Sequence, residues 1–213
     1  MIRRTILRNL ACATLCVLAL GGCGAAGQAG RLDPAAATLS PRALASLSNY
    51  RARLISGAGS SRMIIRTQVH SSENWAAESG LQVLHIGSMS YVRFGRQWFP
   101  HPDAPQTYAQ NNLPAFARQF YAMTRVRGAR VRRGPPCRQA GLAGHTWTVR
   151  GAGGTSFGET LIACVADASG ALLRLAVSTS STAMAGPYAS EVYEITAVGG
   201  VAPFQVPVSG ARS

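Results

Sequence analysis

Three places in this 213-residue sequence hold residues whose type and spacing could do chemistry. The first is Leu20-Gly21-Gly22-Cys23, which closes an uncharged apolar run that follows Arg3, Arg4 and Arg8. A positive flank and a short apolar stretch make the pattern of an export leader, too short for the ~20 residues of a spanning helix. An aliphatic residue, two small ones and a cysteine match a bacterial lipobox. The small residues give a peptidase access to the backbone, and the Cys23 sulfur then takes a diacylglyceryl group. The alternative is an ordinary leader with a coincidental cysteine. Each acyl CH2 buried in a bilayer contributes roughly 0.8 kcal/mol, so two or three chains on Cys23 would anchor the protein without spanning the membrane. Gly24 stands where an inner-membrane retention Asp would in some bacteria, which favours an outer membrane facing the periplasm, or the cell surface.

The second place is Gly154-Thr155-Ser156-Phe157-Gly158, which fits the Gly-x-Ser-x-Gly elbow of serine hydrolases. That elbow needs a strand before it, a helix after it, and a His later in the chain. Here His70, His85, His101 and His145 all precede Ser156, and the flanks read as antiparallel strands, so a hairpin loop accounts for the motif better than an esterase acting on lipids. No catalytic residue, cofactor or metal is expected. The four His have no ligand spacing, and the 8 acids are scattered along the chain.

The third is a run of guanidinium groups: Arg125, Arg127, Arg130, Arg132, Arg133 and Arg138. Guanidinium binds phosphate bidentately, so Arg127, Arg130, Arg132 and Arg133 are candidates for docking against anionic lipid headgroups. The competing reading is a solvated edge strand that uses charge to prevent edge-to-edge pairing. The wider composition is compatible with both, since all 21 basic residues are Arg and the formal net charge is +13. Removal of Arg3, Arg4 and Arg8 with the leader lowers that to +10. Nucleic acid would suit such a charge, but export removes that partner.

After loss of Cys12 and Cys16 with the leader and acylation of Cys23, Cys137 and Cys164 remain. Outside the cytoplasm the expected state of the two is a disulfide, with free thiols or a metal pair as the weaker alternatives.

The elements that must position these residues follow from hydropathic period. A chain that is 47% hydrophobic and 14% charged should fold, and its length suits one domain. The expected layout is a signal peptide over 1–22, an acylated N-terminus and flexible tether over 23–38, a folded domain over 39–208, and a tail over 209–213. Ser40-Pro41 starts a short helix. From Tyr50 the period becomes two, and short strands over 63–70, 74–78, 81–86 and 91–94 alternate with Gly- and Ser-rich turns, a hairpin meander. Pro100, Pro102 and Pro105 break it. Leu113, Phe116, Ala117, Phe120 and Tyr121 then recur at helical spacing, which predicts an amphipathic helix over 113–123. Strands resume over 145–150, 159–167, 172–178 and 191–198, with Asp167-Ala168-Ser169-Gly170 as a hairpin turn. The fold class is therefore α+β: one curved antiparallel sheet, an unclosed half-barrel, with two helices on its concave side.

The lipobox, the Ser48-Asn49-Tyr50-Arg51 step into the first strand, the Ser90-Tyr91-Val92 and Trp98 segment, the aromatic helix and the Asp167-Ala168-Ser169-Gly170-Ala171-Leu172-Leu173 hairpin together resemble the bacterial lipoprotein-carrier superfamily, that is, LolA/LolB-like and LprG/LppX-like lipoproteins. The resemblance implies a half-barrel whose hollow, plugged by helices, holds the acyl chains of a lipid or glycolipid, and it carries over no catalytic residues. Tyr91, Phe94, Trp98, Phe116, Phe120, Tyr121, Met123 and Trp147 are the candidates to line that hollow, with packing in a closed core as the competing role of each. A membrane-anchored lipid-binding protein is the expected function. An envelope-stress sensor or regulator that binds an envelope protein partner is the alternative.

Overall fold

The structure, a computed structural model, describes residues 34–57, 62–101, 112–151, 157–181 and 187–207. The expected leader and acylated cysteine lie outside these residues. Strands β1 (Tyr50–Ser56), β2 (Met63–Ser71), β3 (Asn74–Glu78), β4 (Gln82–Ile86), β5 (Met89–Phe94) and β6 (Gln97–Pro100) form a meander. After a helix over Leu113–Thr124 come β7 (Arg130–Gln139), β8 (Leu142–Arg150), β9 (Phe157–Ala166), β10 (Leu172–Ser181) and β11 (Pro187–Val198). Together they make one antiparallel sheet in the order β6-β5-β4-β3-β2-β1-β11-β10-β9-β8-β7. The pairing of β1 with β11 joins the two meanders, and β6 and β7 stand at the two open ends, which makes the sheet an unclosed half-barrel.

Both helices arise where local chemistry starts them. The Ser40 hydroxyl accepts from the Ala43 N–H at 3.2 Å and begins α1 (Pro41–Leu44). Asn112 Oδ1 accepts from the Ala115 N–H at 3.0 Å and begins α2 (Leu113–Thr124). A cap of this kind contributes about 1 kcal/mol. The apolar stripe of α2 buries Leu113, Phe116, Ala117 and Phe120, and the Phe116 ring stacks on Tyr193 of β11 at 4.5 Å. Around that contact Val149, Leu161, Leu175 and Ile195 are fully buried, so the β8–β11 half of the inner face is a packed core. Core material begins earlier in the chain than expected. Pro34–Thr38 forms a 3-10 turn with Ala36 buried, inside the segment read as tether.

Two strands differ from the sequence expectation. β6 exists because Gly95, at φ 60°, closes a tight hairpin between Phe94 and Gln97, and Pro100 ends that strand rather than preventing it. β7 runs through Pro135 and Pro136 at a register shift against β8, which an edge strand tolerates because its outer N–H groups need no partner. Beyond it, Cys137 and Cys164 form a disulfide that reaches from β7 to β9 over the intervening β8. Gly144 on β8 approaches the β9 backbone closely. It lies opposite Cys137, and a Cβ at this position would stand 2.2 Å from the Val165 carbonyl oxygen.

Register fixes which side chains face outward. Arg174, Glu194, Arg53, Arg66, Glu78, Gln82, Arg93 and Trp98 lie in one row across eight strands. Glu194 in that row is paired with Arg53 and with Arg174. These pairs are partly solvated, so each contributes at most about 1 kcal/mol. The segment after β11 is strapped to the start of β1: Asn49 Nδ2 donates to the Val201 carbonyl at 2.9 Å, and the Val201 N–H donates to Asn49 Oδ1 at 3.1 Å. Phe204 then lies in an outer groove with Leu84 and Trp98.

Candidate functional site

The inner face is not filled throughout. Opposite the packed half, a pocket of about 310 Å³ lies between β1–β3, the residues that follow α1, and the start of α2. Alternation along each strand builds its floor. Tyr50 on β1, Thr67 and Val69 on β2, and Trp75 and Ala77 on β3 all point inward. Leu47 and Pro114 close it from the helix side, and Ser46, Ser48 and Ser72 stand exposed at its rim. Among the described residues no charged side chain lines it, although the protein carries 21 arginines. The Trp75 ring is held by stacking on His85 at 5.2 Å, and His85 Nδ1 lies 2.8 Å from the Ser90 hydroxyl.

None of the eight aromatic and methionine candidates lines this pocket. They divide into three groups. Phe116, Phe120 and Trp147 are buried in the packed half, with Tyr121 and Met123 half-buried against it. Phe94 faces inward at the open β6 end, exposed and edge-on to Phe99 at 5.9 Å. Tyr91 and Trp98 are on the outer face. Along β5, Tyr91 and Phe94 are three residues apart, an odd spacing that a strand sends to opposite sides, and Trp98 pairs with the outward Arg93. The Arg93 guanidinium covers the Trp98 ring at 5.9 Å. The residues that do form the pocket were present in the sequence as the period-two pattern of β1–β3, but the contribution of the loop after α1 required the packing itself.

Tyr50 on the floor has a second buried phenol, Tyr193, close to it in the packed core. Tyr50 and Tyr193 lie near each other and near the backbone of Leu113, and burial pushes both pKa values above their ordinary 10.0, that of Tyr193 furthest, so both hydroxyls are neutral. The Tyr193 hydroxyl has no hydrogen-bond partner among the described residues.

The arginine run lies at the β7 edge and in the turn before it. Arg127, Arg130, Arg132 and Arg133 are exposed, the last three on the terminal strand β7. Arg125 covers the Tyr121 ring at 5.0 Å. Arg133 is engaged with its own sheet: His145 Nδ1 is 2.8 Å from Arg133 Nη2 and 2.7 Å from Asp167 Oδ1. One ring nitrogen cannot both accept from the guanidinium and donate to the carboxylate, so the tautomer selects which contact is a hydrogen bond. This cluster borders a second cavity of about 400 Å³, walled by Leu39, Ala43, Trp147 and Gly170. Among the described residues no three His, Cys, Asp or Glu side chains gather as a metal site would need. Gly154, Thr155 and Ser156 of the Gly-x-Ser-x-Gly motif lie outside the described residues, and Phe157 after them opens strand β9, not a helix.

With this geometry the chain can be set beside known proteins. No family model matches the sequence, and no curated protein matches it. Solved structures that align with the chain include three at TM-scores below 0.5. LprF from Mycobacterium bovis aligns over 85% of this chain and 100% of its own, at 15% identity and a TM-score of 0.46. MucB, solved in complex with the periplasmic part of MucA, aligns over 84% of this chain and 60% of its own, at 14% identity and a TM-score of 0.41. A LolA superfamily protein from Nitrosomonas europaea aligns over 76% of this chain and 92% of its own, at 8% identity and a TM-score of 0.31.

Proposed function

We propose that this chain is a membrane-anchored envelope lipoprotein that binds an apolar ligand in the pocket between β1–β3 and the two helices. The observation that carries the reading is the pocket itself, a space of about 310 Å³ on the inner face of the half-barrel that no charged side chain among the described residues lines. A dry cavity of ~150 Å³ takes a benzene ring, and small-molecule sites begin near ~300 Å³. The volume therefore suits one acyl chain or a ring system rather than a lipid with several chains buried at once. Transfer of such a group from water is favoured by roughly 0.8 kcal/mol per CH2, against Val69, Trp75, Leu47 and Pro114. The lipobox at Cys23 supports the anchor, and the arginines at the β7 edge support contact with anionic headgroups.

Two measurements test this. Labelled palmitate should be incorporated into the full chain, and Cys23→Ser should abolish the label. The chain exported with Cys23→Ser and purified free of detergent should yield a co-purified apolar compound on organic extraction and mass spectrometry. A clean extract, with a protein captured from the envelope in its place, would favour the regulator over the lipid binder.

A further inference from the structure

We infer that the pocket selects a ligand with a neutral oxygen, a hydroxyl or a carbonyl, set within its hydrocarbon part, and that the Thr67 hydroxyl on the pocket floor receives it. This rests on the reading of the pocket as an apolar-ligand site and names the class of ligand that site prefers.

Among the described residues the buried Ser and Thr side chains are Thr67, Ser90 and Thr124. The protein serves two of them. The Ser90 hydroxyl lies 2.8 Å from His85 Nδ1, and the Thr124 hydroxyl donates to the Tyr121 carbonyl at 2.6 Å. Thr67 is 8% exposed, and its hydroxyl has no partner among the described residues. Unlike the Tyr193 hydroxyl it is not sealed off, and the space it opens onto is the pocket. A hydroxyl withdrawn from bulk water and left without a partner is destabilising. Strand β2 has no need of the oxygen for its own packing. Val offers the same β-branched shape, and the neighbours of Thr67 on the inward face are Ile65 and Val69.

Register leaves that hydroxyl uncovered. Thr67 pairs with Ala52 of β1 on one side and Ala77 of β3 on the other, and all three point inward. Directly opposed Cβ atoms on neighbouring strands stand about 4.5–5.5 Å apart, so a larger side chain at either place would lie over the oxygen, whereas two methyl groups do not. Two residues along the same strands, Tyr50, Val69 and Trp75 make the next row of the floor. The ligand surface that matches is hydrocarbon on both sides of a single polar atom. Among the described residues no charged side chain lines the pocket, so a carboxylate, phosphate or amine brought to Thr67 would lose its water without gaining a counter-charge. An ionised end therefore stays with Ser46, Ser48 and Ser72 at the exposed rim, and the group that reaches Thr67 is neutral. A hydroxyl both donates and accepts, so an alcohol and a carbonyl share the chemistry that fits.

The test is displacement of the fluorescent fatty acid cis-parinaric acid from the full chain by nonane, dibutyl ketone and dibutyl carbinol, repeated with Thr67→Val and Thr67→Ser. Val keeps the shape and removes the oxygen, and Ser keeps the oxygen. Thr67→Val should weaken the ketone, the carbinol or both by about three- to tenfold, the worth of one net hydrogen bond, while nonane binds no less tightly. Which of the two responds identifies the oxygen as carbonyl or hydroxyl. Thr67→Ser should keep the parent's order of preference among the three compounds. Without ligand, Thr67→Val should melt about 2–4 °C above the parent, because an unpartnered hydroxyl has become a methyl group, and this separates a lost contact from a lost fold. If Thr67→Val changes all three compounds equally, or none of them, the hydroxyl does not read the ligand and the inference is overturned, while displacement of the probe leaves the pocket reading intact. Failure of the protein to bind the probe at all would overturn both.

Discussion

Replacing Ala77 by Leu adds three carbon atoms to a side chain that points from β3 into the pocket, and the sign of the stability change reports whether that space is open. Ala77 is 3% exposed and faces Thr67, also on the pocket floor, across the β2–β3 ladder. Three carbons that leave water for an unfilled apolar space of about 310 Å³ should stabilise by about 2 kcal/mol, at roughly 0.8 kcal/mol per carbon. For a domain of this size that is a rise in Tm of about 4–8 °C. The control is Ala163→Leu. Ala163 is 1% exposed on β9, opposite Trp147 and within the packed half, where the same three carbons must displace neighbours and should cost about 1–3 kcal/mol. Urea titration of the two variants and the parent, with displacement of a fluorescent fatty acid, reads both consequences. Ala77→Leu should be the more stable protein and the poorer binder. If it loses as much stability as Ala163→Leu, the inner face is filled from end to end and the reasoning fails.

Other consequences follow from the same packing. Gly144→Ala should destabilise by about 1–3 kcal/mol in urea titrations, because its methyl group would meet the Val165 backbone and β8 would have to move away from β9. Paired replacement of Cys137 and Cys164 by Ala should cost roughly 3–4 kcal/mol, the chain-entropy worth of a link with a sequence separation of 27. A loss below 1 kcal/mol would show that the β7–β8 hairpin holds its place without the link. Because burial raises the pKa of Tyr50 and of Tyr193 above the ordinary 10.0, their neutral forms support the fold fully below pH 10, and that support is lost as pH climbs above it. Urea midpoints measured from pH 9 to 12 should therefore fall steeply at the alkaline end, and less steeply in Tyr193→Phe.

Much of the fold was legible because local signals and burial agree. Ser40 and Asn112 cap the helices that their positions announce, and the α2 stripe lands on the sheet as its spacing requires. The Asp167-Ala168-Ser169-Gly170 turn forms with Gly170 at φ 70° and the Ala166 N–H donating to the Ala171 carbonyl at 2.8 Å. The candidate site was less legible. Size and apolarity single out the aromatic residues in sequence, whereas a strand sorts them by parity: Tyr91 and Trp98 face outward and Phe94 inward. The pocket depends on smaller side chains, Thr67, Val69 and Ala77, whose importance lies in the space they leave. That space appears only when the loop after α1 and the start of α2 are set against β1–β3, a tertiary arrangement with no local sequence signal. The arginine run had two readings in sequence, edge protection and headgroup contact, and the exposure of Arg130, Arg132 and Arg133 on the terminal strand β7 suits both.

Trp75 offers the most direct test that an apolar ligand occupies this pocket. It lines the space, while Trp98 lies on the outer face and Trp147 in the packed half. In the full chain with Trp98→Phe and Trp147→Phe, a fatty acid brominated along its chain should quench the remaining indole fluorescence saturably, and the unbrominated acid should reverse it. Quenching that never saturates, or that is equally strong when Trp75→Phe leaves Trp147 as the reporter, would contradict the account.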